Sequence, residues 1–503
     1  MNLLKILNSI EVIQVTGNPE LKEIANITSN SNDIIENSIF VAIKGFKNDG
    51  HKYIPQAIEK NVDAIILENE NGLPEHLFLH SGCVKILVKN SRKALAAISN
   101  VFYNEPSKKI KLIGITGTKG KTTTSYITKN ILETARLKTG LIGTIQNLIG
   151  EQIIKTSMTT PEANSINQLF AQMVEERCSH CVMEVSSHAL DLFRVAFLDF
   201  DVAVFTNLTS DHLDYHINEE NYLKAKKILF DNIKSDGFSI YNNDDKNAIK
   251  IISDTKAKRF SYGVRGNNNL IIKNFEYDLD GTRGEIIVSD KTYKFKTKLI
   301  GKFTVYNVAA AFSICYNLGI DIDTILDGIK TTPYVPGRFE VISNKNKKVI
   351  IDYSHTSDSL QQALQSIHHI VEDDRPIYTI FGCGGDRDRT KRPIMGSIAA
   401  SMSKKVIVTS DNPRTEDPME IIKDITRGIN SDNYSVIENR EEGINSDNYS
   451  VIENREEAIK DCIQNSEDNA VILIAGKGHE DYQEINGVRL HFSDKEIAYK
   501  YLN

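Results

Sequence analysis

The sequence predicts an α/β protein built from three domains. The chain has 503 residues, which is about three times the length of an ordinary domain. Apolar strand-like segments alternate with helical segments through its central and C-terminal parts, as in sheets that are largely parallel. Segments rich in proline, glycine or charge interrupt this alternation at 105–109 (EPSKK) and 331–340 (TTPYVPGRFE). We therefore expect domains over 1–107, 108–335 and 336–503.

Each element follows from its hydrophobic pattern. The first domain has short strands at SIFVAI, DAIILE and VKILV, separated by helices. The second begins with the strand KLIGIT and a helix from Lys121 towards Thr134, followed by strands at CVMEVS, VAVFTN and FSIYNN. RGEIIVSDKTYKFKTKLIG alternates apolar and polar residues, which is typical of antiparallel strands with one solvent-facing side. The third domain alternates helices with strands at KKVIIDYS, PIYTIFGC, KVIVT and AVILIA, which predicts a doubly wound, Rossmann-like sheet.

Composition excludes several classes of protein. The chain is 40% hydrophobic and 25% charged, with a formal net charge of −7, whereas binders of nucleic acid or of membrane surfaces need a basic face. The N-terminal segment lacks the features of a signal peptide, and no run of about 18 apolar residues exists. We interpret the scattered cysteines as reduced thiols, including the C-x-x-C pair Cys178 and Cys181. These observations predict a cytoplasmic protein without membrane insertion.

The C-terminal part contains a tandem duplication. GINSDNYSVIENREE occupies 428–442 and recurs identically at 443–457. Because structural repeats normally differ in sequence, this identity points to a recent duplication or to an error in the sequence record. One copy of YSVI can serve as a strand, and NREEAIKDCI, which is continuous only with the second copy, should form the next helix. Our hypothesis is that the surplus copy bulges out at the surface.

A phosphate-binding loop is predicted at GITGTKGKTTT, which follows a strand and opens a helix. Gly117 and Gly120 would let the backbone approach a phosphate, whose charge suits exposed N–H groups at a helix N-terminus. Lys121 would reach the outer phosphates, and the hydroxyl of Thr122 would be offered to Mg²⁺. The match to the phosphate-loop pattern is imperfect, because Ile115 stands where the first glycine is expected. The alternative is a glycine-rich turn that binds no ligand.

Two further strand ends carry groups that suit a metal ion. MEVSSHALDLFRV places Glu184 at the end of an apolar strand, where a carboxylate could bind Mg²⁺. FTNLTSDHLDYH places His212 and neighbouring aspartates just after another strand. For His212 by itself, a hydrogen-bonded structural role is as reasonable as a role as ligand. Its position beside a phosphate loop favours the metal interpretation.

The order of motifs resembles the Mur ligases of peptidoglycan synthesis. The motifs are, in order, TGTKGKTTT, SMTTPEAN, EVSSHAL, FTNLTSDHLDYH, YLKAKKILF, GKFTVYN, PGRFE, DYSHTSDSL, FGCGGDRDRTKRP, SDNPRTEDP and AGKGHEDYQ. The resemblance extends over all three predicted domains. It implies the three-domain Mur ligase architecture, with a central P-loop ATPase-like domain that binds ATP, an N-terminal domain that binds the UDP-substrate and a C-terminal domain that binds an amino acid.

The resemblance also implies an activity. The motifs match best those members that add the third residue to UDP-MurNAc-L-Ala-D-Glu. ATP would phosphorylate the free carboxylate of this substrate, and an amine would then attack the acyl phosphate to give an amide, ADP and phosphate. The implied cofactors are ATP and Mg²⁺, and the implied amine is meso-diaminopimelate. By family analogy we expect a monomer whose third domain swings over the ATP-binding domain.

Lys226, in YLKAKKILF, is implied by the resemblance to be the family's carbamylated lysine. A carbamate turns an ammonium into a carboxylate-like metal ligand. The neighbouring Lys224 and Lys227 leave a solvated basic helix face as the alternative. The implied catalytic residues are Lys121, Glu184, His212 and Lys226. The implied metal ligands are Thr122, Glu184, His212 and Lys226 as its carbamate.

The resemblance assigns the remaining binding residues by motif. Those for ATP are Gly117, Thr118, Lys119, Gly120, Lys121, Thr122, Thr123, Asn307, Arg338 and Asp352, with His355 at the same closing interface. Those for the UDP-substrate are Ser31, Thr159, Thr160, Ser186 and Arg194, with Lys44, Asp49 and His51 near Ser31. Those for the amino acid are Arg387, Asp411, Asn412, Pro413, Arg414, Gly476 and Glu480.

The turn SDNPRTEDP matches the form associated with meso-diaminopimelate, and lysine-adding relatives lack its arginine. Arg414 would provide a fixed cation fork for the distal carboxylate of that amino acid, and Glu480 would receive its distal ammonium. Removing Arg414 would leave a desolvated carboxylate unpaired. The alternative for Arg414 is a surface salt bridge after a turn.

Four positions depart from the usual family pattern: Leu192, Ser210, Thr304 and Ser357. None of them is assigned to the chemistry. Three other functions remain open from the sequence. A lysine-adding enzyme would share most motifs, and a folylpolyglutamate or cyanophycin-type ligase would lack the DNPR turn and the GKGHE segment. A non-catalytic, nucleotide-gated binding protein would have lost a metal-binding or phosphate-binding residue.

Overall fold

The structure is a computed structural model that describes residues 1–46, 48–70, 72–344, 346–371, 375–429, 445–446 and 448–502. Its contacts divide the chain into two compact units. The first unit comprises Met1–Ile271 and Asn307–Gly328, and the second comprises Ile272–Tyr306 and the chain from Ile329 onward. Within the described residues, every helix is too short or too polar to cross a lipid bilayer.

The N-terminal part of the first unit is a five-stranded sheet with helices packed on it. Its strands are β1 (Val12–Thr16), β2 (Asn26–Thr28), β3 (Ser38–Val41), β4 (Ala64–Leu67) and β5 (Val84–Val88), in the order β1-β5-β4-β3-β2. Only β1 is antiparallel to its neighbour. The helices are α1 (Leu3–Leu7), α2 (Ile54–Glu59), α3 (Glu75–Ser81) and α4 (Ser91–Phe102).

The segment EPSKK, at the predicted boundary between the first two domains, contains a short helix. It forms a 3₁₀ helix over Pro106–Lys109 in which Pro106 and Ser107 are buried. Proline suits the first position of such a turn, because its φ is preset and its missing N–H has no partner to lose there. The predicted domain boundary at this segment stays a prediction.

The central part of the first unit is a larger sheet that is parallel in its middle. Its strands are β6 (Lys111–Thr116), β7 (Thr139–Ile142), β8 (Asn147–Ile149), β9 (Gln152–Ile154), β10 (His180–Glu184), β11 (Phe200–Phe205), β12 (Phe238–Asn242) and β13 (Lys258–Gly263). They run in the order β13-β12-β11-β6-β10-β7-β8-β9. Because β11, β6 and β10 are parallel neighbours, the loops after their carboxyl ends meet at one edge of the sheet.

Helices cover this central sheet. They are α5 (Lys121–Thr134), α6 (Ala163–Glu175), α7 (Ser187–Asp191), α8 (Leu213–His216), α9 (Glu219–Asp231), α10 (Ala248–Ile251), α11 (Lys302–Asn317) and α12 (Ile322–Thr331). The predicted helix from Lys121 towards Thr134 is confirmed. The buried side of the sheet carries a continuous apolar cluster that includes Leu112, Met183 and Phe205.

The second unit holds the predicted doubly wound sheet. Its strands are β17 (Glu340–Ser343), β18 (Lys348–Asp352), β19 (Ile377–Phe381), β20 (Lys405–Val408), β21 (Asn445–Ser446), β22 (Tyr449–Val451) and β23 (Val471–Ala475), in the order β17-β18-β23-β19-β20-β22-β21. The inner strands are parallel, and the two edge strands are antiparallel. The helices are α13 (Ser357–Ile370), α14 (Lys391–Met402), α15 (Pro418–Thr426), α16 (Arg455–Asn465) and α17 (Asp494–Leu502).

Further strands complete the second unit. Strand β14 covers Leu270–Asp278, and β15 (Gly281–Val288) pairs with β16 (Lys291–Thr297) as the alternating sequence predicts. A separate hairpin, β24 (Tyr482–Ile485) and β25 (Val488–His491), follows the last parallel strand.

The described residues contain one copy of the duplicated segment, apart from residue 447. Gly428 and buried Ile429 come from the first copy, whereas β22 and the start of α16 come from the second. Strand β22 pairs with β20, so the predictions that one YSVI forms a strand and that NREEAIKDCI forms the next helix are confirmed. The hypothesis that the surplus copy bulges out falls on residues 430–444, which lie outside the described residues.

Arg455 ties the second copy into the core of the second unit. Its side chain is 0% exposed, and its Nε and Nη2 atoms each lie 2.8 Å from the carboxylate of Asp494. Nη2 also donates to the carbonyl oxygen of Ala475 at 3.0 Å. A buried ion pair of this kind is costly to break from one side, because the remaining charge loses its partner.

Deleting residues 430–444 should therefore leave folding and activity intact. The deletion restores a single continuous GINSDNYSVIENREE and removes no described residue. A shorter connection loses less entropy on closure, which corresponds to a gain of up to about 0.6 kcal/mol. We expect a thermal midpoint that is unchanged or slightly higher, measured by differential scanning fluorimetry.

A matched pair of arginine substitutions serves as the control for this deletion. Arg455→Met should destabilise the protein by about 3 kcal/mol or more, because Asp494 stays buried without a counter-charge. Arg440→Met, at the equivalent position of the first copy, should leave the midpoint unchanged. Equal losses from both substitutions, or a deletion variant that does not fold, would contradict the assignment of the second copy to the core.

Candidate active site

The phosphate loop needs glycine at its two predicted positions. Gly117 has φ of 150° and Gly120 has φ of 87°. A Cβ atom on Gly117 would collide with Thr206 Oγ1, and one on Gly120 would lie 2.7 Å from Asn307 Oδ1. The loop is thus closely packed against the segment that follows β11 and against α11. Helix α11 carries the predicted Asn307, which therefore lies at the loop.

Asn207 fixes the loop from the neighbouring strand end. Its Oδ1 accepts from the backbone N–H of Lys119 at 2.9 Å, and its Nδ2 donates to the carbonyl oxygen of Lys119 at 3.0 Å. Its own carbonyl oxygen accepts from the N–H of Thr118 at 2.8 Å. The Thr118 hydroxyl in turn lies 3.2 Å from both the Thr209 carbonyl oxygen and the Tyr222 hydroxyl. The loop conformation is therefore held before any ligand binds.

Thr122 and Glu184 meet, as the metal hypothesis requires. Glu184 is 0% exposed, and its Oε2 accepts from Thr122 Oγ1 at 2.9 Å and from Thr144 Oγ1 at 2.8 Å. Its Oε1 accepts from the backbone N–H of Thr144 at 3.0 Å. A buried carboxylate that is oriented by three donors is well placed to act as an oxygen ligand for a hard cation.

Lys226 lies under the phosphate loop. Its side chain is 1% exposed, and its Nζ is 3.1 Å from the Gly117 carbonyl oxygen and 4.3 Å from the centre of the Tyr222 ring. Burial, together with the charge of Lys121, holds the pKa of Lys226 well below its usual value. Lys121 itself donates to the carbonyl oxygens of Gly117 and Thr118 at 2.8 and 3.0 Å. The predicted carbamylation site is thus a buried amine that favours its neutral, nucleophilic form.

His212 is half-exposed at the start of α8, with its ring centre 4.9 Å from that of His188 and 6.3 Å from that of Tyr222. Among the described residues, no group of three or more His, Cys, Asp or Glu side chains is arranged to hold a metal ion. The donors present fit Mg²⁺ through Thr122 and Glu184. The full predicted set still requires the carbamate of Lys226, and it stays a prediction.

A strained turn joins His216 to α9, the helix that carries Lys226. Ile217 has φ of 71° and ψ of −45°, and the N–H of Asn218 donates to the His216 carbonyl oxygen at 2.8 Å. This is a γ-turn of the rare hand, which is strained even for flexible residues. A β-branched side chain at positive φ adds steric cost, and Ile217 gains little from burial because it is 79% exposed.

Ile217→Gly should stabilise the protein. Glycine tolerates positive φ, so we expect a gain of about 1 kcal/mol and a thermal midpoint roughly 2 °C higher. Ile249→Gly is the matched control, because Ile249 is also exposed but lies within α10, where glycine should cost about 1 kcal/mol. Both midpoints can be measured by scanning calorimetry, and a fall for Ile217→Gly would show that the turn is not strained.

Three residues predicted to bind the UDP-substrate lie beside Glu184. Thr160 Oγ1 donates to the Glu184 carbonyl oxygen at 2.8 Å and accepts from the N–H of Ser186 at 3.1 Å. Ser186 caps α7 by accepting from the N–H of Ala189 at 3.2 Å. The hydroxyl of Thr159 is 3.1 Å from that of Thr144. The structure therefore brings these three predicted residues together at one edge of the sheet.

Arg194 and Ser31 already have protein partners. Arg194 donates to the Thr160 carbonyl oxygen at 3.1 Å and pairs with Glu162 at 2.7 Å. Ser31 donates to Gln56 Oε1 at 3.0 Å in the N-terminal part. Their roles as substrate-binding residues stay predictions.

Near Ser31 along the chain, Asp49 and His51 form a hydrogen-bonded pair. Asp49 Oδ1 lies 2.7 Å from His51 Nδ1, and His51 Nε2 accepts from the N–H of Glu68 at 3.2 Å. The accepting Nε2 implies that Nδ1 carries the proton in a neutral imidazole. Lys44, also predicted here, forms an isolated β-bridge with Asp49.

In the second unit, Arg338 lies 4.8 Å from the centre of the Tyr353 ring. Asp352 Oδ2 accepts from the N–H of Phe339 at 3.0 Å, and its Oδ1 accepts from the Ser354 hydroxyl. Burial raises the pKa of Asp352. The predicted nucleotide-binding residues Arg338 and Asp352 are thus close together, because Asp352 bonds to the residue that follows Arg338. The predicted Asn307 belongs to the first unit.

Arg414 is locked in the turn that follows β20. It has φ of 54°, its N–H donates to the Glu484 carbonyl oxygen at 3.0 Å, and its own carbonyl oxygen accepts from the N–H of Asn486 at 2.7 Å. Its Nη1 donates to the Gly385 carbonyl oxygen at 2.6 Å. The guanidinium is therefore held over the loop after β19, which also carries the exposed Arg387.

Behind Arg414 lies a buried polar cluster. Asn412 donates to Glu480 Oε2 at 2.8 Å, and Lys477 Nζ lies 3.0 Å from Asn412 Oδ1 and 3.2 Å from Glu480 Oε2. A Cβ atom on Gly476 would lie 2.9 Å from Asp411 Oδ2. The structure thus brings together the predicted Asp411, Asn412, Gly476 and Glu480 and adds Lys477. Pro413 packs against the same loop, where a Cβ atom on Gly385 would collide with the Pro413 carbonyl oxygen.

Three family models match successive parts of the chain. They are described as Mur ligase family, catalytic domain, at residues 23–103, Mur ligase middle domain at 115–315, and Mur ligase, glutamate ligase domain, at 337–478. A Clostridium botulinum protein named UDP-N-acetylmuramoyl-L-alanyl-D-glutamate--2,6-diaminopimelate ligase is 41% identical over 500 residues, which cover 99% of this chain and 98% of that protein. The chain belongs to the Mur ligase family.

Other Mur ligases resemble this one over its whole length. A Bacteroides thetaiotaomicron protein with the same name is 39% identical, and the match covers 100% of both chains. A solved structure of a protein with that name is 28% identical with a TM-score of 0.69, covering 100% of this chain and 98% of the other. A Thermotoga maritima MurF ligase in complex with ADP has a TM-score of 0.61 at 18% identity, covering 95% and 96%; that likeness concerns the fold alone. The predicted family and fold class are confirmed.

Two departures of this Mur ligase from the usual pattern are absorbed locally. Ser357 opens α13, where Thr356 and Ser359 form a capping box, so the helix start does not depend on proline. Thr304, in the first turn of α11, donates to the carbonyl oxygen of Ile300 just before that helix at 2.8 Å. Neither change removes a residue of the predicted chemistry.

Four residues of the Mur ligase site were missed by sequence reasoning: Thr144, Asn207, Tyr222 and Lys477. Asn207, Tyr222 and Lys477 stand inside motifs already singled out, in TNLT, YLKAK and AGKGHE. Their signal was a polar or aromatic residue at a strand end or on a helix beside an assigned residue. Thr144 lies outside every quoted motif and carried no signal.

Proposed function

We propose that this Mur ligase joins meso-diaminopimelate to UDP-MurNAc-L-Ala-D-Glu with ATP and Mg²⁺, as a step of peptidoglycan precursor synthesis in the cytoplasm. Full-length relatives at 39–41% identity that bear the name of this diaminopimelate-adding activity support the substrates. The observation that carries the ligase chemistry is the position of Lys226, whose buried Nζ lies 3.1 Å from the phosphate-loop carbonyl oxygen of Gly117.

The first half of the reaction is a phosphoryl transfer. A carboxylate oxygen of the D-Glu residue attacks the γ-phosphorus of ATP, and the bond from this phosphorus to the β-phosphate oxygen breaks. ADP departs, and the D-Glu carboxylate has become an acyl phosphate. Both reactants are anions, so the site must neutralise charge and align them. Lys121 and the N-terminus of α5 supply positive charge and backbone donors for the phosphates. Asn207 keeps these donors in place.

Mg²⁺ would be held by Thr122 and Glu184, by His212, and by Lys226 once carbamylated, and it would neutralise charge on the phosphates. The neutral amine of Lys226 adds to CO₂, loses a proton and gains a negative charge. The new negative charge would lie close to the ammonium of Lys121, which contacts the same loop carbonyl oxygen, so the two groups would attract each other. The low pKa of Lys226 supports the proposal, because only the unprotonated amine reacts with CO₂.

The second half of the reaction is amide formation. The amine of meso-diaminopimelate attacks the acyl carbon, and the tetrahedral intermediate expels phosphate while the amine loses a proton. Arg414 and Arg387 would bind the distal carboxylate, and Glu480 the distal ammonium. A fixed guanidinium fork matches a carboxylate better than a flexible ammonium does. The backbone N–H and carbonyl groups of Arg414 are both hydrogen-bonded, which holds the residue in place.

Phosphate release is the direct test. The protein is supplied with ATP, Mg²⁺ and UDP-MurNAc-L-Ala-D-Glu, in parallel with meso-diaminopimelate, L-lysine or no amine. The expected result is release that requires an amine, with a kcat/KM for meso-diaminopimelate at least about 100-fold above that for L-lysine. Release with lysine instead would keep the ligase and discard the role of Arg414. ATP binding without release in any arm would overturn the ligase proposal.

A further inference from the structure

Lys477 is a buried cation at the centre of the polar cluster behind Arg414. Its side chain is 0% exposed. Its Nζ lies 3.0 Å from Asn412 Oδ1, 3.2 Å from Glu480 Oε2 and 3.5 Å from Asp411 Oδ1. Long, flexible lysine side chains are almost never fully buried unless their charge is paired, so these contacts account for its position.

The two carboxylate oxygens of Glu480 have different surroundings. Oε2 receives both the Asn412 amide at 2.8 Å and the Lys477 ammonium. Asn412 Oδ1 is occupied in turn by Lys477 and by the N–H of Glu484 at 3.0 Å. The network thus orients the side chains of Asn412 and Glu480 through one shared ammonium, and it leaves Oε1 as the oxygen that can receive a ligand.

The charges around Glu480 show what Lys477 balances. Asp411 and Glu480 carry two negative charges, and Lys477 is the cation in contact with both. The Arg455–Asp494 pair behind them is neutral as a whole. Among the described residues, Tyr353 and Tyr482 also face Glu480, and burial raises the pKa of both, so they stay uncharged at neutral pH.

We propose that Lys477 is a positioning residue of the amino-acid pocket, which fixes Asn412 and Glu480 so that Glu480 Oε1 receives the distal ammonium of the incoming diamino acid. The inference rests on the proposed function and deepens it. Lys477 touches neither reacting atom; it acts through Glu480. Its loss should therefore weaken amine binding and leave the residues proposed for phosphoryl transfer unchanged.

The charge balance gives the proposal a pH signature. Burial raises the pKa of Glu480, and Lys477 opposes that rise. Without Lys477 the pKa of Glu480 rises further, because burial and Asp411 then act without opposition. A carboxyl group that is protonated cannot pair with an ammonium. The KM for the amine should then increase as the pH falls, in the variant more steeply than in the wild type.

Kinetics of Lys477→Met and Lys477→Gln provide the first test. We expect the KM for meso-diaminopimelate to rise about 100-fold, with kcat and the KM values of ATP and of the UDP-substrate within about threefold. Lys347→Met is the matched control, since Lys347 is also buried but donates to the carbonyl oxygens of Ile463 and Ser466 rather than to side chains of the amino-acid pocket. It should lower the thermal midpoint without changing the KM for the amine.

A double-substitution cycle and calorimetry separate positioning from general destabilisation. Adding Lys477→Met to Glu480→Gln should raise the KM for the amine less than twofold further, because both act on one contact. Titrating meso-diaminopimelate in two buffers of different ionisation enthalpy should show proton release on binding in Lys477→Gln but not in the wild type. Additive effects, or an unchanged KM in both Lys477 variants, would overturn the role of Lys477. A wild type that shows no amine-dependent phosphate release would overturn the proposed function instead.

Discussion

Arg414→Met should reduce kcat/KM for meso-diaminopimelate by about 10²–10³-fold. The guanidinium of Arg414 is held by Gly385 at 2.6 Å, and its backbone is held by Glu484 and Asn486. Methionine keeps much of the apolar volume but leaves the distal carboxylate of the substrate without a counter-charge. Because L-lysine has no distal carboxylate, its kcat/KM should change less than about threefold. Initial rates of phosphate release with each amine measure both values.

Arg427→Met controls for the loss of an arginine outside the amino-acid pocket. Arg427 is exposed at the end of α15 and pairs with Asp424 at 2.8 Å, so its loss should leave both amines unaffected. If Arg414→Met reduced the rates with lysine and with meso-diaminopimelate equally, Arg414 would be supporting the turn rather than reading the carboxylate. Arg414→Lys would then be expected to restore neither amine.

Lys226→Ala should abolish turnover, with kcat falling by at least about 10³-fold. The buried amine is expected to carry a carbamate, and alanine removes the site of that negative charge. Wild-type activity should fall in CO₂-depleted buffer and return when bicarbonate is added, whereas the residual activity of Lys226→Ala should not respond. With ¹³C-labelled bicarbonate, a carbamate resonance should appear in the wild-type NMR spectrum and be missing from that of the variant.

Lys224→Ala controls for the loss of a lysine on the same helix. Lys224 is exposed on α9 and pairs with Glu220 at 2.7 Å, so turnover and the bicarbonate response should both be preserved. A wild-type rate that is indifferent to bicarbonate, together with full loss in Lys226→Ala, would reduce the role of Lys226 to that of an amine donor to the phosphate loop.

Strand–helix patterning predicted the parts of the site that depend on the sheet. The ends of β6, β10 and β11 are adjacent because these strands are parallel neighbours, so Thr122 and Glu184 could be expected to meet. The turn carrying Arg414 follows the same rule in the second unit. Elements with strong apolar runs, such as KLIGIT and AVILIA, were predictable because strand burial fixes their position.

Contacts made by single polar side chains across long stretches of chain were not predictable. Asn207 braces a loop 88 residues earlier, and Thr144 reaches Glu184 over 40 residues. The spacing of hydrophobic residues along the chain does not predict such pairs, because each pair depends on tertiary packing. Lys477 was missed for the same reason. Its burial beside the carboxylates of Asp411 and Glu480 depends on tertiary packing that a glycine-rich segment does not reveal.

The duplicated segment has a consequence for inheritance. One repeat unit of 15 residues corresponds to a whole number of codons, so slippage during replication can delete it without shifting the reading frame. The fold already uses one copy, built from Gly428, Ile429 and the residues that follow 444. Contraction of the gene would then yield a shorter enzyme in one event. Until that happens, selection should preserve Arg455 and Tyr449, which are buried in the second unit.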